Sequence, residues 1–265
     1  MATEWVINMK LYEVMNIIEK EYPTCLEYAW DNSGLFFGDK NKEINKIMTT
    51  LDVTYDIICQ AKEEKADLVL SHHPIFISDM KKLSDNSMQS DIIVEAVKNN
   101  IAIYSAHTNM DRAKDGINSK LAEIFELSDT EILEIDLNYP DCGLGRCGKL
   151  KNETSLYDFC EVVKEKLNTP FVRVCGNDRK IKKIAVASGS CSEYIPLAIE
   201  KNCDVIVTAD MKYHKCIEFV YDGIAVIDAG HYPTEIIVKD MFAKLLEGTK
   251  IEIVNSNSSD IFKVV

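Results

Sequence analysis

The apolar positions follow two alternating rhythms for most of the chain. Leu11, Val14, Met15, Ile17 and Ile18 recur at helical spacing, and Pro23 closes that segment. Ile47 to Leu51 is a short apolar run that predicts a strand. Tyr55 to Lys65 predicts a helix, with Ile57, Ile58 and Ala61 on one face. Leu68 to Leu70 reads as a buried strand, Ile92, Ile93, Val94 and Val97 as a helix, and Ile101 to Tyr104 as another strand. Strands alternating with helices predict βαβ units and a mainly parallel or mixed sheet, an α/β fold. The stretch from Asp136 to Asn152 lacks a helical period and reads as a connector with one strand. Ser155 and Asp158 form a capping pattern for a helix through about Leu167.

The pattern also repeats. Ile47 to Leu70 (IMTTLDVTYDIICQAKEEKADLVL) aligns without a gap on Ile184 to Val207 (IAVASGSCSEYIPLAIEKNCDVIV), Lys46 falling on Lys183, Ala61 on Ala198 and Asp67 on Asp204. The next strands, Ile101 to Ala106 and Ile224 to Ala229, also correspond. Two unrelated βαβ units share such a rhythm, but ungapped agreement over this length points to one duplication. The expected division is a first α/β domain of residues 1–125 plus 229–265 and a second of 126–228.

Composition narrows the class. A net charge of −13 repels phosphate backbones, so nucleic acid is a poor partner. A small anionic substrate is compatible with bound cations. No run approaches the ~20 apolar residues of a membrane helix, and Met1 to Trp5 carry no secretory pattern. Nine cysteines, most in apolar runs, suit reduced thiols and a cytoplasmic protein. Cys142 and Cys147 lack the second pair that a zinc site needs.

The five histidines, His72, His73, His107, His214 and His231, each fall just past a predicted strand end or in the segment after it. That rim is where open parallel sheets bind ligands. Pro74 ends the strand before His72 and His73, so both imidazoles can enter one cleft; the alternative is a histidine that only caps the strand. Asp111 closes the run Ser105 to Asp111 and is a natural third ligand, or else a helix N-cap. His231 and Glu235, four apart with Pro233 between them, share a face of a short helix. Three imidazoles and two carboxylates suit two divalent ions of Zn, Mn, Fe, Co or Ni, and do not suit Ca. His107 and His214 are candidates for proton transfer, or are hydrogen-bonded rim histidines.

Other signals carry less. Gly143 to Gly148 fits GxGxxG but opens no helix, so it reads as a strand or turn, from which Arg146 could reach an anion. Ser188-Gly189-Ser190 is a turn at a strand end or part of a cleft. Trp30 to Gly34 is a polar loop that frames a pocket or forms an Asx turn.

Taken in order, Trp30-Asp-Asn-Ser-Gly-Leu35, Ser71-His-His-Pro74, Ser105-Ala-His-Thr-Asn109 with Asp111, Gly143-Leu-Gly-Arg146, Thr208-Ala-Asp210, and Gly230-His231 with Glu235 resemble the Nif-three-like or YbgI-like family. Its members are often labelled GTP cyclohydrolase type 2 homologues. The resemblance implies a duplicated fold of two intertwined α/β domains and a toroidal homohexamer. It places a dinuclear metal centre on His72, His73, Asp111, His231 and Glu235, the five reached above. The short mid-chain connector leaves no room for the inserted domain some relatives carry, and Ala209 replaces a common glycine. Two functions follow as expectations: a metal-dependent hydrolase of a nucleotide or similar small molecule, or a metal-binding scaffold without turnover.

Overall fold

Most strands below are short and apolar, and most helices bury one stripe. The structure is a computed structural model that describes residues 9–77, 82–84 and 87–265. Met1 to Trp5, read above for a secretory pattern, lie outside the described residues. In chain order the elements are β1 (Met9–Lys10), α1 (Leu11–Glu21), β2 (Gly34–Phe37), β3 (Glu43–Ile44), β4 (Lys46–Thr50), α2 (Tyr55–Glu63), β5 (Leu68–Ser71), α3 (Met88–Lys98), β6 (Ala102–Ser105) and α4 (Thr108–Arg112). Then follow α5 (Ile117–Ile124), β7 (Ser128–Ile135), β8 (Gly143–Ser155), α6 (Leu156–Lys166), β9 (Arg173–Cys175), β10 (Lys180–Val186), α7 (Ile195–Glu200) and β11 (Val205–Thr208). The chain ends with α8 (Tyr213–Tyr221), β12 (Ala225–Asp228), α9 (His231–Glu235), α10 (Val238–Leu245) and β13 (Glu252–Asn255).

The chain divides into two compact units. The first takes residues up to Met110 and returns for Val238–Ser258; the second takes Asp111–Ile237 and the last residues. The junctions differ from the 125 and 229 read off the pattern. Leu121 and Ala122 of α5 join the same apolar core as Leu156 and Phe159 of α6, which draws α5 into the second unit.

In the first unit a five-stranded sheet runs β13-β4-β5-β6-β2. The pairs β13–β4, β4–β5 and β5–β6 are parallel, and β2 lies antiparallel on the edge. Met48 and Val69 of the sheet pack with Ile57, Ile58 and Ala61 of α2 and Ile92 of α3, all buried. Thr54 starts α2 by accepting a hydrogen bond from Ile57 N at 3.3 Å. On α3, Ser90, Ile92 and Ala96 are buried while Val94 and Val97 are exposed.

In the second unit the order is β7-β8-β10-β11-β12-β9, with β10–β11 and β11–β12 parallel and β8 and β9 antiparallel to their neighbours. The duplication is visible in the register. Ile47 pairs Leu68, and Ile184 pairs Val205, the same partners in the aligned sequences. Asp67 N donates to Lys46 O and Asp204 N to Lys183 O, both at 2.8 Å. Asp67 Oδ2 accepts from the amides of Asn45 and Lys46 at 2.8 and 3.2 Å. Asp204 Oδ2 accepts from those of Lys182 and Lys183 at 2.7 and 2.8 Å. One aspartate per repeat thus clips the start of one strand to the start of the next.

The stretch from Asp136 to Asn152, read as a connector with one strand, does hold one. From Gly143 onward it belongs to a 13-residue strand paired with both β7 and β10. A Cβ on Gly143 would meet Glu134 O at 2.0 Å, and one on Gly145 would meet Leu133 Cδ1 at 2.7 Å. Glycine is needed there for close approach of β7. It removes the apolar alternation by which a strand is read.

Candidate metal site

His72 and His73 sit where β5 runs out at the sheet rim. Their amides continue the ladder, donating to Thr50 O at 3.3 Å and Leu51 O at 2.9 Å. His72 is fully buried. Its Nδ1 lies 2.8 Å from Ala106 O. A carbonyl can only accept, so that Nδ1 carries the proton and Nε2 the lone pair. His73 Nδ1 lies 2.7 Å from Asp52 Oδ1, which sets the same tautomer. His107, just past β6, repeats the arrangement with Asp31 Oδ1 at 2.7 Å. The ring centroids are 5.0 Å apart for His72–His73, 5.2 Å for His72–His107 and 5.5 Å for His73–His107. Each ring offers one nitrogen, and the three lie within 4.8 Å of one another.

The pKa of Asp31 follows from the same contacts. Burial opposes its ionisation, but the His107 hydrogen bond and charge, with bonds from Thr108, hold it well below the usual carboxylate range.

In the second unit, α9 begins after Gly230, whose φ of 88° lets the chain turn sharply from β12. The i, i+4 spacing brings His231 Nε2 to 2.9 Å from Glu235 Oε2. Asp210 Oδ2 lies 2.7 Å from His231 Nδ1, so each nitrogen of this ring faces a carboxylate. Glu235 is 4% exposed, and Gly189 backs it so closely that a Cβ there would stand 2.2 Å from Glu235 Oε1. Asp111, also buried, accepts from Ser188 Oγ at 3.3 Å, and Asn118 Nδ2 donates to its backbone oxygen. The next helix, α5, has Gly116 as its N-cap, so Asp111 does not cap it.

The remaining expected residues are placed differently. His214 lies exposed on α8 against Tyr213 and belongs to no candidate ligand group among the described residues. Arg146, read as able to reach an anion, is buried. It donates to the carbonyls of Gly143, Gly145, Ala113 and Lys114 and to Ser119 Oγ, which occupies its guanidinium inside the fold. Asp52 and Asp210, which hold the Nδ1 atoms of His73 and His231, were not singled out as site residues. Position just past β4 and β11, each on the rim of its own sheet, is the signal that could have found them.

The residue types present, imidazoles oriented through Nδ1 and buried carboxylates, fit a divalent transition ion.

A duplicated α/β protein with histidines and carboxylates at its strand ends is the class these features define. Residues 9–260 match the family model Duf34/NIF3 (NGG1p interacting factor 3), and the chain belongs to that family. It is 36% identical over 244 residues to a GTP cyclohydrolase 1 type 2 homolog of Clostridium acetobutylicum, covering 91% of each chain. Among solved structures it is similar to reduced HcgD from Methanocaldococcus jannaschii (TM-score 0.83, 32% identity), covering 96% of this chain and 100% of that one. A Bacillus cereus protein related to NIF3 superposes with a TM-score of 0.89 at 25% identity, covering 97% and 99%. No helix among the described residues is long and apolar enough to cross a membrane.

Proposed function

We propose that the protein binds two divalent metal ions per chain through His72, His73, Asp111, His231 and Glu235 and acts as a metal-dependent hydrolase of a nucleotide or similar small anionic molecule. The observation that carries this reading is the shared anchoring of His72, His73 and His231. Each has Nδ1 against a carbonyl or carboxylate that orients the ring. Asp52 and Asp210 orient rings, Ser188 holds Asp111, and Gly189 confines Glu235. A bound ion pair would supply Lewis acidity and a water whose pKa falls toward ~7. The nucleotide class is supported by the name of relatives such as the Clostridium acetobutylicum homolog. The net charge of −13 favours cations and disfavours extended nucleic acid. The toroidal homohexamer and the cytoplasmic location belong to the same proposal.

The test is a screen of protein reconstituted in turn with Zn, Mn, Fe, Co and Ni against GTP, other nucleoside phosphates and simple phosphoesters. Turnover that is lost in Glu235→Gln supports the hydrolase. Stoichiometric metal with no turnover of any of these would favour the non-catalytic scaffold.

A further inference from the structure

We propose that the face formed by edge strand β9 and helix α8 is where two copies of this chain meet about a two-fold axis, β9 beside its own copy and α8 antiparallel to its own. The inference rests on the assembly of copies proposed above and adds the face that joins them.

Helix α8 is apolar on two sides. Cys216 and Phe219 are buried in the core that holds Val226 of β12. Tyr213, Ile217, Val220 and Tyr221 recur at i, i+4, i+7 and i+8, the spacing of a second stripe. They are 77%, 55%, 39% and 91% exposed. Single exposed apolar residues are ordinary on a protein surface, whereas a continuous stripe marks a contact.

Strand β9 extends the same surface. It ends its sheet, paired to β12 through Cys175–Val226, Val174–Ile227 and Arg173–Asp228, and no other strand lies on its far side among the described residues. That far side is a row of backbone donors and acceptors open to strand pairing. Between strand and helix runs a groove of about 500 Å³, whose walls include Val174, Cys175, Tyr213, Cys216, Ile217 and Val220. Its charged residues, Arg173 and Asp228, pair with each other, and Asp228 Oδ2 also accepts from Met211 N at 3.0 Å. Their charges offset each other, so the groove fits apolar surface rather than an ion.

The charges around the stripe select a second copy as the occupant. With −13 overall, two copies repel each other in general. This helix is balanced instead. Exposed Lys212 and Lys215 lie at its N-terminal end, and exposed Glu218 and Asp222 at its C-terminal end, two cations against two anions. Antiparallel packing of α8 on its copy sets the lysines of each helix against the acids of the other; parallel packing would set like charges together. A two-fold axis normal to the sheet likewise lays β9 antiparallel on its copy. One axis thus joins two six-stranded sheets edge to edge and places two helices over the seam. Ile217 is the middle residue of α8 (Tyr213–Tyr221), so that axis brings it against itself in the other copy.

The experiment measures mass in solution by light scattering for the wild type, Ile217→Asp, Ile217→Lys and an equal mixture of the two variants. We expect the wild type to exceed one chain and each variant alone to fall to half that mass or less. The mixture should regain the wild-type mass, because aspartate then meets lysine at the axis. Should the Ile217 variants lose the circular dichroism of the wild type, Tyr221→Lys repeats the test at a side chain already 91% exposed. It too should halve the mass, because it faces the Lys212 end of the other copy. An unchanged mass in these folded variants of an assembled wild type overturns this interface and leaves the assembly standing. Folded Ile217 variants that stay apart on mixing overturn it as well, since the axis requires Ile217 to meet itself. A wild type that is a single chain in solution overturns the assembly and this inference together.

Discussion

Gly189 has φ +61°, and its backbone lies against Glu235 and His231. A Cβ there would meet Glu235 Oε1 at 2.2 Å and His231 Nε2 at 3.1 Å. In Gly189→Ala, therefore, Glu235 must move. We expect metal affinity to fall by about 10–100-fold, the scale seen when a ligand's support is lost. The left-handed backbone adds a stability cost of about 1–2 kcal/mol. Calorimetric metal titration and thermal melting check the two effects, and unchanged affinity would remove Glu235 from the ligand set. Cys160 gives a pH-dependent prediction. Burial, with repulsion from Glu161, pushes its thiol up to about 11. At pH 8 about one such thiol in a thousand is ionised, against roughly one in four for a free cysteine. Alkylation of Cys160 followed by peptide mapping should be slow at pH 8 and rise steeply toward pH 11; a rate at pH 8 equal to that of exposed Cys25 would contradict this. At this scale the sequence showed the histidines plainly, because there are only five and they gather after strand ends. It could not show that Asp31 and Asp52 hold Nδ1 atoms, since those contacts join residues 76 and 21 positions apart.

At the scale of elements, the duplicated aspartates make the clearest case. Asp67 and Asp204 do the same work in the two repeats, each accepting from two consecutive backbone amides at a strand start. Removing the carboxylate leaves those amides to find water at a half-buried edge. We expect Asp204→Ala and Asp67→Ala each to lose about 1–3 kcal/mol, measured as a lower urea midpoint. Asp141→Ala, at a side chain 80% exposed, serves as the control and should change stability by less than about 0.5 kcal/mol. Equal midpoints for all three would mean that the repeated aspartates are not clips. Most strands and helices were legible because their apolar period matches their burial, as in β4, α2 and β5. The strand expected around Gly143 is β8, but its length was not legible, because glycines required for close packing on β7 break its apolar alternation.

For the whole molecule, connectivity follows from the returning C-terminal segment. β13 adds in parallel to β4, so the first unit is completed only after the second has been made. The pattern gave two α/β units and a duplication. The compact units divide at residues 110/111 and 237/238, and α5 joins the core that holds α6. Charge also acts at this scale: with −13 overall and Asp111 and Glu235 buried, the proposed cations would offset negative charge the fold holds inside. Metal at a hundred times its dissociation constant should therefore stabilise the protein by about 2.7 kcal/mol per site. The most direct test of the central claim is elemental analysis of the purified protein and of His73→Ala and Glu235→Ala. We predict about two divalent ions per chain, as in dinuclear hydrolytic sites, with clear loss in both variants. Wild-type protein that retains no ion after reconstitution with Zn, Mn, Fe, Co or Ni would contradict it.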